Sequence, residues 1–389
     1  MDNIKVLVIP TWYPREKKPI SGIFFKKQAE GLAKNIDVSI LDFELVSIRE
    51  IKDFLKLKKY ENYTEKNVKT FRFRKINYGF RFDNIVKKIY KKNIYKYFDK
   101  VIKETGKPDI IHAHVTFHGG YLAYLLSKRY NIPYVVTEHS SFFEKLVEKD
   151  PEVCSEIFKG ASGYMAVGKT LKNKVEELGK IQCLVVPNYI NTEKFKTNEV
   201  VDEIKIKDKF NLLNVSLLNQ VKNIPMLLEA LNLVVYESNI KNIHLHLIGD
   251  GIERQNIKNK IEELNLQDYC TMHGTVINEN LPKYLNSGDA LVISSKKETF
   301  CVAGIEAMSC GLPVIATKCG GPQDYVNEEN GILVENNNAQ AMKDGIIKMI
   351  SNYKIYDKEK IKKYIEDNYS EKAVVDKVIN EYKKILENK

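Results

Sequence analysis

PDIIHAHVTFHGGYLAYLLSKRYNIPYVVTEH, residues 108–139, decides the fold. PDIIHAH (108–114) is a short apolar β-type run, GGYLAYLLSKR (119–129) has helical spacing, and PYVVTEH (133–139) is again strand-like. Strand, helix and strand in so short a span form a βαβ unit, with two parallel strands beneath a crossing helix. The alternation continues outward. Before it, IKVLVI (4–9), DVSILDF (37–43) and NVKTFRF (67–73) read as strands, and GIFFKKQAEGLAK (22–34) and a stretch near 84–104 as helices. After it, GYMAVG (163–168) and CLVVPN (183–188) are strands with a helix between.

Residues 188–205, NYINTEKFKTNEVVDEIK, are polar and without period, which predicts a linker. Alternation then resumes with strands at NVSLL (214–218), HLHLIG (244–249), CTMHG (270–274), ALVIS (290–294) and PVIAT (313–317), and a charged helical stretch from about 337. Two α/β units predict two Rossmann-like domains facing a central cleft, 1–195 and 196–369. Ligands of such sheets sit beyond the carboxyl ends of the strands.

Composition narrows the class. Hydrophobic residues make up 43% of the 389 and charged residues 29%, which suits folded domains. No apolar run approaches the roughly 20 residues of a spanning helix. The first residues, MDNIKVLVIP, read as a strand rather than a signal peptide. Cys154, Cys183, Cys270, Cys301, Cys310 and Cys319 include no C-x-x-C pair, which argues against zinc or a redox pair and fits reduced thiols in a cytoplasm.

The net charge of +10 is concentrated. Residues 52–103 hold 17 Lys and Arg against 5 Asp and Glu, a balance of +12. Phe54, Tyr60, Tyr63, Phe71, Phe73, Tyr78, Phe80, Phe82, Tyr90, Tyr95, Tyr97 and Phe98 are interleaved with them. That mixture suits an anionic membrane surface, with rings at the headgroups and lysines on lipid charge. A solvated helical face is the competing reading. No nucleic-acid motif accompanies the charge.

The chemistry concentrates after strands. Glu298-Thr-Phe-Cys-Val-Ala-Gly-Ile-Glu306 runs from a strand end through a loop into a helix expected from about Val302 to Cys310. Free N–H groups at that helix start suit a diphosphate on the backbone of Phe300, Cys301 and Val302. Glu298 and Glu306 could then accept hydrogen bonds from sugar and ribose hydroxyls. Spacing alone leaves open a surface Glu298 and a Glu306 that only favours the helix dipole. Gly22 opens a helix and permits close approach of a ligand, or is a plain turn glycine. Gly249-Asp250-Gly251 and His273-Gly274-Thr275-Val276 offer backbone near a nucleotide. His139 ends a strand. His112 and His114 share a strand face and, with His118, raise a metal trio, for which core or acceptor-side hydrogen bonds are the stronger alternative.

E-x7-E followed by EAMSCGLPVIAT and GGPQDYVNEENGILV resembles the donor-site region of family 4 glycosyltransferases. PTWYP with SGIFFKKQAEGLAK, and PNYINTEKF, are similar to that family's segments in the same order, so the resemblance spans nearly the whole chain. It implies a GT-B fold and a retaining transfer from a nucleotide-sugar to an acceptor held by the N-terminal domain. A final helix, about 370–389, would pack back on that domain.

The resemblance also implies roles. Glu306 would bind the donor ribose, Glu298 the sugar hydroxyls, and His139 the reacting sugar. Lys222, in QVKNIPMLLEA, would neutralise the diphosphate. The family's Arg a few residues earlier is missing: that stretch is Ser216-Leu217-Leu218-Asn219. No metal is implied, and the nucleotide-sugar is a co-substrate rather than a cofactor. The expected donors are UDP-linked hexoses or N-acetylhexosamines, then GDP-mannose. The expected acceptor is a glycan or lipid-linked glycan of envelope polysaccharide, glycolipid or capsule assembly, with the enzyme cytoplasmic or peripheral on the inner membrane face through residues 52–103, and with no nucleic-acid partner. Rival readings are another GT-B enzyme such as a sugar-nucleotide epimerase, or a non-catalytic basic binding protein.

Overall fold

The computed structural model describes residues 4–79, 84–196 and 199–388. Phe80 and Phe82 of the basic segment and residues 197–198 of the expected linker lie outside them. The chain divides into two compact units, Met1–Pro187 with Val374–Lys389, and Asn188–Ala373.

The first unit is built on β1 (Lys5–Pro10), β2 (Asp37–Ser47), β3 (Tyr60–Glu65), β4 (Val68–Asn77), β5 (Ile110–His114), β6 (Tyr134–Glu138), β7 (Gly163–Ala166) and β8 (Leu184–Val185). Their spatial order is β3-β4-β2-β1-β5-β6-β7-β8. Every pair is parallel except the β3–β4 hairpin. β5 and β6 are buried along their whole length, as strands covered by helices on both faces must be. Strand order reverses between β1 and β5, which is where a doubly wound sheet opens a crevice.

That crevice is filled by the chain itself. A Cβ on Gly119 would lie 2.7 Å from both the Ile9 and His114 carbonyl oxygens, so only glycine fits there. The Thr11 hydroxyl accepts from the Gly119 N–H at 3.0 Å and lies 2.7 Å from the His114 carbonyl oxygen. The strand–helix passage is therefore kinked: Val115 and His118 have φ of 72° and 58°, and the helix begins at Tyr121 rather than at 119.

The second unit carries β9 (Phe210–Val215), β10 (Ile243–Ile248), β11 (Cys270–Gly274), β12 (Ala290–Ile293), β13 (Val314–Thr317) and β14 (Gly331–Val334). All pairs are parallel, in the order β11-β10-β9-β12-β13-β14, with the reversal between β9 and β12. β9 starts four residues before the expected NVSLL strand. Ser216–Leu218 instead turns onto the β10 loop, with Leu218 N donating to Asp250 O at 3.0 Å. The expected linker is not loose. Tyr189, Ile190, Phe195 and Ile204 are buried, and Ile190 N donates to Tyr369 O at 3.1 Å.

The basic segment is less of a free surface than its composition suggests. Phe54, Phe71, Phe73, Tyr90, Tyr97 and Phe98 are core residues. Arg72 and Arg74 are buried and paired with carboxylates of the neighbouring strand: Arg72 Nε lies 2.5 Å from Asp42, and Arg74 Nε 2.9 Å from Glu44. Lys87 is held 2.5 Å from Asp150. Part of the +12 is thus neutralised by residues far off in sequence.

Candidate active site

In the second unit the polar groups gather at the carboxyl ends of β9 and β12. The Asn219 side chain accepts from the N–H groups of Val221 and Lys222, at 3.0 and 3.3 Å, and so caps the short turn that carries Lys222. The loop after β12 is laced to this turn. Ser294 Oγ donates to the Lys222 carbonyl at 2.8 Å, and Lys296 N donates to Val221 O at 2.8 Å. Glu298 is pinned by its own backbone: its N–H donates to Cys319 O at 2.8 Å, and its carbonyl accepts from Gly321 N at 3.0 Å.

This lacing brings Lys222 Nζ to 2.6 Å from Glu298 Oε1. Ser295 Oγ donates to the same oxygen at 2.7 Å. Among the described residues, Glu298 Oε2 has no partner and remains open to a ligand hydroxyl. Burial pulls the Lys222 pKa down, but Glu298 at its side outweighs it, and the value is raised. Lys222 is therefore a fixed cation at neutral pH.

The helix that follows, Val302–Ser309, begins at Cys301, which sits at φ 68° and supplies no side-chain cap. The Cys301 carbonyl points back to the Tyr325 hydroxyl, which donates to it at 2.9 Å. Among the described residues, the N–H groups of Val302 and Ala303 have no partner, as expected at an uncapped helix start. Phe300 is 2% exposed and its backbone is covered by Gly321, where a Cβ would meet Phe300 Cα at 2.3 Å. Glu306 lies one turn into the helix, half-buried. Burial pushes the Cys301 thiol up to about 12, with Glu298 adding in the same direction, so it carries no thiolate at neutral pH.

The two glycine loops behave differently from the sequence expectation. The close approach at Gly249 and Gly251 is made by the protein's own backbone: Cβ atoms there would meet Ser216 O at 1.9 Å and Leu218 O at 2.2 Å. His273 and Gly274 belong to β11 itself. The His273 ring pairs with His246 at 3.0 Å, and Arg254 reaches towards both Gly274 and Asp250. Val276 follows, half-buried.

In the first unit Gly22 has φ 73°, and a Cβ there would meet Trp12 O at 2.3 Å. The space is taken by Trp12, not left for a ligand. His139 follows β6 and shares a hydrogen bond with His114, Nε2 to Nδ1, at 3.1 Å. Phe25 stacks on His114 at 4.6 Å and meets His139 edge-on at 4.7 Å. Burial drops the His139 pKa to about 3, so the ring is neutral and can both donate and accept. His112 is turned to Thr137 and Tyr382, and His118 to Tyr90. The three histidines of the suggested metal trio thus have separate partners, and no group of three His, Cys, Asp or Glu side chains converges among the described residues.

Sequence reasoning missed Glu138. It is fully buried. One oxygen accepts from the N–H groups of His139 and Ser140, both at 2.8 Å, and the other from Thr116 N at 2.9 Å and Thr116 Oγ1 at 2.7 Å. It fixes the loop that carries His139. The signal was a carboxylate inside an otherwise apolar strand, PYVVTEH.

Two doubly wound α/β units, one with a Lys–Glu pair at its switch point, are the architecture of GT-B enzymes. The model of glycosyl transferases group 1 matches residues 195–370, and that of glycosyltransferase family 4 matches residues 25–194. The putative teichuronic acid biosynthesis glycosyltransferase of Bacillus subtilis is 26% identical over 366 residues, covering 88% of each chain. The sucrose-phosphate synthase of Thermosynechococcus elongatus shares the fold with a TM-score of 0.77 over the whole of both chains, at 18% identity. HepE of Anabaena, in complex with UDP, gives 0.74 over 98% of this chain and 100% of its own, at 16% identity. The chain belongs to glycosyltransferase family 4 and is a glycosyltransferase.

Among the described residues, no helix is long and apolar enough to cross a membrane.

Proposed function

We propose that this glycosyltransferase is retaining, that its donor is a UDP-sugar, with GDP-mannose the next choice, and that its acceptor is a glycan or lipid-linked glycan of envelope polysaccharide, glycolipid or capsule assembly. The observation that carries the donor assignment is the Lys222–Glu298 pair beside the uncapped helix start at Val302. Cation and free N–H groups together suit a diphosphate, and the open oxygen of Glu298 suits a sugar hydroxyl. HepE binds UDP on the same fold, and the Bacillus subtilis relative is a putative teichuronic acid biosynthesis glycosyltransferase.

In this reading the sugar–phosphate bond weakens as the sugar gains positive character. Lys222 and the N–H groups of Val302 and Ala303 stabilise the departing diphosphate. Glu298 Oε2 accepts from the sugar and Glu306 from the ribose. In the first unit, neutral His139 can donate to or accept from a ligand hydroxyl. The acceptor hydroxyl attacks on the face the phosphate leaves, and the phosphate takes its proton. No metal ion enters the reading, because Lys222 and the helix start meet the phosphate charge. The enzyme works on the inner membrane face, docked through exposed lysines of residues 52–103.

Thermal stability with UDP, GDP, ADP and their sugars tests the assignment. A ligand at about 100 times its Kd adds roughly 2.7 kcal/mol. One nucleotide family should raise the Tm of the wild type and do so less in Lys222→Ala and Glu306→Ala. A shift undiminished in both variants refutes the donor site.

A further inference from the structure

At the outer edge of the first unit, the β3–β4 hairpin, the helix Ile51–Lys56 and the helix Asn84–Thr105 border an open cavity of about 420 Å3. Its inner wall is aromatic. Phe73 stacks on Tyr97 at 4.1 Å, Tyr60 tilts against Phe73 at 4.9 Å, and Phe54 is buried beside them. Its other lining residues include Lys59, Lys75, Lys96 and Lys100. Lys100 Nζ lies 3.1 Å from the centre of the Tyr60 ring. Arg74 also lines the cavity, but its charge is spent on Glu44 and Glu61. Among the described residues, Lys59, Lys75 and Lys96 form no ion pair, and all three are exposed.

Around this cavity the surface is apolar where it has no structural reason to be. Leu55 is 76% exposed and Tyr78 66%, with Ile48, Ile51 and Leu57 also exposed. Ile51 and Leu55 lie on the helix whose Phe54 enters the cavity. Single exposed aliphatics are ordinary, but a cluster of them beside unpaired lysines marks a binding surface.

We propose that this cavity is a headgroup site for the anionic phospholipid of a bilayer. The lysines take the lipid phosphate. The aromatic wall takes the apolar atoms next to it, and Ile51 and Leu55 enter the interface, as amphipathic surface elements do. A soluble acidic glycan would use the lysines and rings but would leave the exposed aliphatics without a role. The inference rests on the membrane-surface reading above and assigns it to one place: the hairpin edge, not the Lys88, Lys91 and Lys92 stretch of the long helix.

Co-sedimentation of the full chain with phosphatidylcholine vesicles, with and without phosphatidylglycerol, tests it. Each lysine near an anionic surface contributes roughly fivefold in binding. Lys59→Gln/Lys75→Gln/Lys96→Gln should therefore lose on the order of 100-fold on phosphatidylglycerol vesicles, and Ile51→Ser/Leu55→Ser should lose binding as well. Lys88→Gln/Lys91→Gln/Lys92→Gln should lose much less. All three variants should keep the wild-type Tm shift with UDP, which shows that they fold. An equal or larger loss in the Lys88, Lys91 and Lys92 variant leaves membrane docking intact and overturns the cavity assignment. No binding of the wild type to any vesicle overturns both. A hyaluronan tetrasaccharide that binds in a Lys59, Lys75 and Lys96-dependent way, without vesicle binding, makes the cavity a glycan site and overturns the lipid.

Discussion

Glu298→Gln separates the two halves of the donor site. Lys222 and Ser295 both donate to Oε1, and a glutamine can place its carbonyl oxygen there and keep both. Its NH2 then stands where Oε2 was open, so a sugar hydroxyl that donated to the carboxylate meets another donor. A hydrogen bond to a charged group contributes about 1.5–3 kcal/mol, so turnover should fall roughly 10- to 150-fold. The Tm shift with UDP alone should stay, because Lys222 still faces the diphosphate. A second signature is alkaline. With Glu298 present, the folded pKa of Lys222 is raised, so the stability it contributes is complete below about pH 10.4 and is lost as pH rises through the raised value. With glutamine, the Glu298 charge no longer opposes the burial of Lys222, and the stability gap between the proteins should narrow above about pH 10.4. Steady-state transfer, UDP melting and urea unfolding at neutral and alkaline pH are the assays. Full turnover in the variant refutes the sugar contact. Loss of UDP binding would mean that Glu298 acts only through Lys222.

Lys222→Ala should weaken UDP by about tenfold or more, the scale of one charge-assisted contact, read by calorimetry. Glu138→Gln leaves at least one buried N–H of Thr116, His139 or Ser140 unpaired, so urea unfolding should show a loss of about 1–3 kcal/mol. Gly304→Ala puts a Cβ 2.2 Å from the Tyr325 hydroxyl. Its cost should be about 1–3 kcal/mol, and adding Tyr325→Phe should recover part of it. Acid should destabilise the first unit. His112 is fully buried, and burial holds its pKa at about 3, so between pH 6.5 and that value only the unfolded chain takes the proton. Stability then falls by about 1 kcal/mol for each such histidine, His114 included, over the first pH unit below 6.5, and towards about 1.4 kcal/mol per unit below that. Glu138 and Asp42, raised by burial, act in the opposite sense, so the net fall is smaller than the histidines alone would give.

The alternation that gives two parallel sheets is plain in the sequence, because buried parallel strands are short, apolar and bracketed by helices. β3 escaped for the opposite reason. Tyr60–Glu65 is a polar, mostly exposed edge with no apolar period, and the only local cue was the turn at Lys66 and Asn67, both at positive φ. β9 was displaced because Leu217 and Leu218 look like strand continuation, yet their backbone is drawn to Asp250 and Gly251 by contacts no local window contains. The Lys222–Glu298 pair spans 76 residues, so spacing alone does not bring those charges together. Likewise, the partners of Arg72 and Arg74 lie on β2, which is why a charge count over 52–103 overstates the free charge.

The helix Glu371–Glu387 carries Tyr382, which reaches back 270 residues to His112. Val374, Val378 and Tyr382 are buried, and Gly163 lies against Ile385. A chain emerging from a ribosome therefore makes all eight strands of its first sheet long before it makes the helix that seals it. The second unit, by contrast, is continuous and complete first. Synthesis thus completes the second unit before the first, whose sheet lacks the Val374, Val378 and Tyr382 side chains until residues 374–382 have been made.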